Sequence, residues 1–115
     1  MRINGTPVVF VDFETELIAP GNALPRPAIA TTYTAPDEAH ALGAPAMAGA
    51  QLWLTHQLEC LWLWLLTEAV AGRIYIGGHD VARFDANITG AHMPHLRRLI
   101  KQALDLGRVG VDRLG

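Results

Sequence analysis

The chain has one cysteine, Cys60, in 115 residues. A single thiol excludes an internal disulfide and suits a reducing compartment. Long apolar runs are also lacking. The longest, Leu61-Trp62-Leu63-Trp64-Leu65-Leu66, falls far short of the roughly 20 residues a bilayer-spanning helix needs. The apolar run after Arg2 stops at Asp12, too early for a signal peptide. A soluble cytoplasmic protein is expected, with no membrane partner. There is no excess of positive charge: nine basic residues against eleven acidic leave a net charge of −2. A binder that holds nucleic acid by charge alone is therefore excluded. No Cys-x-x-Cys or His-Glu-x-x-His pattern is present. The pairs His56/Cys60 and His92/His95 thus have little support as a zinc site.

What is abundant is apolar residues, at 50% of the chain, enough for one globular core. Val8-Val9-Phe10-Val11 reads as a buried strand that runs directly into Asp12-Phe13-Glu14-Thr15. Strand side chains alternate, so Asp12 and Glu14 share one face and Phe13 turns to the other. Two adjacent carboxylates repel unless one is protonated or a cation lies between them. An oxygen-only set favours magnesium or manganese over zinc. Two solvated acids at a strand end would give the same pattern.

Further strands are read at Pro27–Thr34 and Arg73–Ile76, and Ala35–Ala50 reads as an irregular linker. A helix is predicted from Gln51 to Ala71, ended by Gly72, with Gln51, Thr55 and Glu59 as its solvent stripe. Within it, Leu61–Leu66 is apolar all round and needs cover on both sides. Cys60 is expected there as a buried, inert thiol. A helix opened by Asp80 is expected to end near Gly90, and another from His95 to Leu106 to end at Gly107. In the latter, Leu96, Leu99, Ile100 and Ala103 form the inward stripe, while Arg97, Arg98 and Lys101 face away. With Arg108 and Arg113 these bases could touch a nucleic-acid backbone, although a solvated helix face explains them as well. The order predicts an α/β layer with helices against a mixed sheet.

The segment Asp12-Phe13-Glu14 resembles the first motif, Asp-x-Glu on the opening strand, of the 3′–5′ exonuclease family. That family includes the proofreading domains of family-A DNA polymerases. Gly78-His79-Asp80, three residues, then Phe84-Asp85 resembles the second motif: Gly-His-Asn, a short gap, an aromatic and a metal-binding Asp. Asp80 stands where the family has Asn. It keeps the helix-capping ability and loses the amide donor. Without that context, Asp85 would read as an exposed helix acid and Phe84 as ordinary core. The third motif, Tyr or His followed four residues later by Asp, is absent beyond Asp85. Lys101 and Arg108 occupy the corresponding positions before Asp105 and Asp112.

The resemblance implies a ribonuclease-H-like mixed sheet flanked by helices, incomplete at the C-terminus, so that residues 1–115 form one partial domain. It implies two-metal hydrolysis at single-stranded DNA (or RNA) 3′ ends, within a phage or bacterial polymerase of greater length. Asp12 would bridge two Mg2+ or Mn2+ ions, Glu14 would hold the nucleophile-side ion, and Asp85 the second. Phe13, Thr15, His79, Asp80 and Phe84 would lie against the substrate. With the third motif missing, weak activity or none is expected. The alternative is a non-catalytic remnant of the fold that binds protein or nucleic acid, or self-associates, through Trp62 and Trp64.

Overall fold

A computed structural model describes residues 1–15, 26–78 and 86–111. Its centre is strand β2 (Thr6–Thr15). Val9, Val11 and Phe13 are buried on one face, while Asp12 and Glu14 are exposed on the other. Strand β1 (Arg2–Ile3) pairs back onto β2. The connection is Asn4-Gly5, with φ of 51° and 81°. A two-residue hairpin turn of type I′ needs positive φ at both positions, which this dipeptide tolerates best. The Asn-Gly pair was the readable signal for this strand, which the apolar pattern alone does not predict.

Strand β3 (Pro27–Thr34) lies antiparallel to β2 over the range expected for it. The predicted linker is structured instead. It holds helix α1 (Pro36–Ala41), a 3-10 turn at Pro45–Met47, and the start of strand β4 (Gly49–Trp53), antiparallel to β3. The predicted helix from Gln51 therefore loses its first part to a strand. Helix α2 runs from Leu58 to Val70, after a 3-10 turn at Thr55–Gln57. Gln51 and Thr55 are not on a helix stripe at all. The Gln51 side-chain amide donates to the Ala48 carbonyl (2.8 Å), and the Thr55 hydroxyl donates to the Ala28 carbonyl. The Trp53 indole N–H donates to the Thr32 hydroxyl (2.8 Å), tying β4 to β3. Pairing with a neighbouring strand has overridden a helical spacing, as sheet context commonly does.

Helix α2 buries Leu58, Leu61, Trp62, Leu65, Leu66 and Ala69. That is a stripe at i, i+3, i+4, i+7, i+8 and i+11. The apolar run needs less cover than predicted, because Leu63 is 47% exposed and Trp64 is half-buried. Two further corrections follow from the same stripe. Cys60 is exposed rather than buried. Trp62 is fully buried, so of the two tryptophans expected at a partner surface only Trp64 reaches solvent. The Trp62 ring stacks on Phe13 with centroids 4.7 Å apart and planes within 2°, an offset arrangement favourable for aromatic pairs. At its end, Gly72 (φ 79°) donates to the Ala69 carbonyl and Arg73 to the Glu68 carbonyl. This is the paired bonding of a Schellman stop.

Strand β5 (Tyr75–Gly77) is parallel to β2. Helix α3 (Ala86–His92) runs past the expected end at Gly90, and helix α4 (Arg97–Asp105) follows a 3-10 turn at Pro94–Leu96. In this region Leu96, Ile100 and Ala103 are buried and Leu99 half-buried, while Arg97, Arg98 and Lys101 are exposed, as the stripe predicts. Helix α4 packs on α2, and His95 Nε2 lies 2.8 Å from Glu59 Oε1 between them. Strand β6 (Val109–Val111) is parallel to β5. The described residues thus form a mixed α/β structure: a six-stranded sheet, ordered β4-β3-β2-β5-β6 with β1 on β2, flanked by helices. No described helix is long and apolar enough to cross a membrane.

Replacing Trp62 with Ala should cost about 3–5 kcal/mol in urea denaturation, the range for deleting a buried large aromatic. A loss below about 1 kcal/mol would mean that the Phe13–Trp62 stack does not anchor the core. Cys60 should react with Ellman's reagent in the native protein, since it needs no unfolding for access. Labelling that appears only in denaturant would place the thiol inside.

Candidate active site

The local reason for the site is the alternation of β2. Phe13 is 6% exposed and belongs to the core, so its two chain neighbours must face the other way. Asp12 and Glu14 therefore emerge side by side on the sheet face that does not carry the main core. Register with β3 sets Thr31 opposite Asp12, Ile29 opposite Glu14, and Tyr33 opposite Phe10. The pairing becomes irregular between Glu14 and Thr15, and Thr15 is half-buried at the strand end. An irregularity at this point re-aims the strand just beyond the two acids.

An open groove of about 560 Å³ crosses this face. Phe10, Asp12, Thr31, Tyr33, Ala50 and Gly78 contribute to its lining. Gly78 is there because β5 runs parallel to β2, with Val8, Val9 and Phe10 beside Tyr75, Ile76 and Gly77. Strand β5 therefore ends beside Phe10, midway along β2, and the chain leaves it near Asp12. On one side of β2 the chain turns back antiparallel into β3, and on the other it returns parallel as β5. Ligand sites of open α/β sheets gather at such a reversal, outside the strands' carboxyl ends.

Of the residues singled out in the sequence, Asp12 and Glu14 are thus together and accessible. Phe13, expected against substrate, instead has its ring packed on Trp62. His79, Asp80, Phe84 and Asp85 lie outside the described residues, and so do Asp112 and Arg113. Among the described residues no group of three His, Cys, Asp or Glu side chains could share a metal ion. The terminal bases are already engaged in part. The Arg97 guanidinium donates to the Gly90 carbonyl (2.9 Å), Lys101 pairs with Asp105 (2.9 Å), and Arg108 lies 4.4 Å from the Tyr75 ring centroid.

Thr31 and Tyr33 are the groove residues that sequence reading missed. Their alternation within Pro27–Thr34 was visible, but the register that sets them beside Asp12 and Phe10 depends on the length of the β2–β3 connection. No protein family, curated protein or solved structure matches this chain.

Two exposed acids held on one face repel each other and stabilise nothing. Asp12→Asn and Glu14→Gln should therefore each change the unfolding free energy by no more than about 0.5 kcal/mol, the usual range for surface sites. A loss above about 1.5 kcal/mol in urea titration would instead make them partners in a structural ion pair.

Proposed function

We propose that this chain carries the opening part of a ribonuclease-H-like 3′–5′ exonuclease domain, with Asp12 and Glu14 as its first pair of metal ligands. The observation behind this reading is the parallel register of β2 and β5. It brings Gly78, where the second motif begins, to the groove that Asp12 lines. A divergence of strands at this edge is the setting in which two sequence-distant acidic segments can converge. The order of elements agrees too: an opening strand, two antiparallel neighbours, a helical crossover and two parallel strands. Strand β4, antiparallel to β3, adds to the antiparallel half of the sheet.

The donor chemistry fits a hard divalent cation, because the exposed set is carboxylate oxygen with a hydroxyl, Thr31, directly opposite. Asp12 and Glu14 would hold Mg2+ or Mn2+, with Asp85 as the third ligand. Such ions supply a water nucleophile at neutral pH and offset phosphate charge. The chain's own contribution is to hold the two carboxylates in fixed relation through β2. Thr31 and Tyr33 would form the floor on which a single-stranded 3′ end rests. Tyr33 is 49% exposed, and an exposed ring offers a base a stacking surface. Beyond Asp85 the sequence holds no Tyr or His with an Asp four residues on, so hydrolysis by these residues alone should be feeble.

A second reading is a non-catalytic remnant of the same fold that binds a partner. It is favoured by exposed Tyr33, Leu52 and Leu54 on β3, β4 and the residue after β4. Calorimetric titration with MnCl2 separates the two. The nuclease reading expects binding at about 1 mM or somewhat tighter, the range of sites with few charged ligands. Asp12→Asn should weaken it at least tenfold, with little degradation of 5′-labelled single-stranded DNA in either protein. Binding indifferent to Asp12→Asn and Glu14→Gln would remove the nuclease reading. Brisk magnesium-dependent degradation that Asp12→Ala abolishes would overturn the expectation of an incomplete site.

A further inference from the structure

We infer that the outer edge of β4 is an interface for a second copy of this chain, which joins antiparallel about a two-fold axis and continues the sheet. This does not depend on the nuclease reading. Strand β4 ends the sheet, with β3 on one side and no strand on the other among the described residues. Half of its backbone N–H and C=O groups therefore point outward, ready for another strand. Protein sheets ordinarily guard such edges with lysine, proline, a bulge or an inward charge. Strand β4 has none of these. Its sequence is Gly49-Ala50-Gln51-Leu52-Trp53, and its five residues pair with β3 in unbroken register. The whole stretch from Ala41 to Thr55 holds no charged residue. The opposite edge differs: β6 is three residues long and follows Arg108.

The strand also fits itself. A two-fold axis through Gln51 sets Leu52 of one protomer opposite Ala50 of its partner, and the reverse. It sets Leu54 opposite Ala48 in the same way. Large faces small at each step, so the side chains interdigitate rather than collide. Leu52 is 59% exposed and Leu54 48% exposed, and this pairing covers them. Each chain has a net charge of −2, but none of it lies on the joining strand, so repulsion at the seam is slight. A five-residue edge buries less than the roughly 1,200 Å² of a standard interface, which makes the dimer reversible, with a Kd on the order of 100 μM.

Sedimentation equilibrium from about 10 μM to about 1 mM tests this on the unaltered chain and three variants. The unaltered chain should pass from monomer to dimer and no further. Leu52→Lys should raise Kd at least tenfold with an unchanged circular dichroism spectrum, because it sets a charge beside the seam. Ala50→Glu, also at an exposed position of β4, should do the same and stands in if the first variant fails to fold. Leu63→Lys, on the exposed side of α2, should dimerise like the unaltered chain. A monomer at every concentration overturns the inference. So does a dimer that survives both β4 variants, or one that Leu63→Lys alone dissolves.

Discussion

The stack of Phe13 on Trp62 is the contact on which the rest depends. Phe13 sits between the two acids, so burying its ring under α2 dictates which way both carboxylates point. A strand's side-chain period is two, and a slip of one residue would send Asp12 and Glu14 into the core and Phe13 into water. Desolvating two carboxylates there would cost several kcal/mol each. The aromatic stack, worth about 0.5–1.5 kcal/mol beyond its area, and the carboxylates' need for water thus enforce the same register. Core and site are specified by the same three residues.

The sheet divides its labour between faces. On one, Val9, Val11, Phe13, Ala30 and Ile76 meet the apolar stripes of α2 and α4 in a continuous core. On the other, Asp12 and Glu14 remain in high dielectric, where two like charges are tolerated at modest cost. Tyr33 and Leu52 share that open face with them. An arrangement of carboxylates flanked by exposed aromatic and aliphatic side chains suits a ligand that is anionic through a bridging cation and planar elsewhere. Under the nuclease reading proposed above, that ligand would be a nucleotide.

Much of this was legible in the sequence, and the reasons are local. Val8–Thr15 announced both its strand and the facing of its acids through composition and alternation. Pro27–Thr34 announced β3, and the stripe of Leu96, Leu99, Ile100 and Ala103 announced its inward face, because each signal is complete within about a dozen residues. Strand β4 was not legible. Gln51, Thr55 and Glu59 mimic a helical spacing, and only hydrogen bonds to β3 and its neighbours reveal that the first two serve a strand and a turn. The exposure of Cys60 was hidden for a related reason. In so apolar a helix, the choice of buried stripe depends on where the sheet lies. Strand β1 was legible in principle from Asn4-Gly5.

The parallel pairing of β2 with β5 has a consequence in time as well as in space. The antiparallel set of β2, β3 and β4 is joined by connections of 11 and 14 residues, against the 59 that separate β2 from β5, and can assemble early, since the shorter loops close at smaller entropic cost. Strand β5 must wait until α2 has formed and folded back across the sheet, because it joins the two halves of the chain. Non-local pairings of this kind are the slow step in small domains. The edge that gathers Asp12 and Gly78 is thus among the last parts of the molecule to form. A nascent chain would expose its two acids well before Gly78 could come beside them.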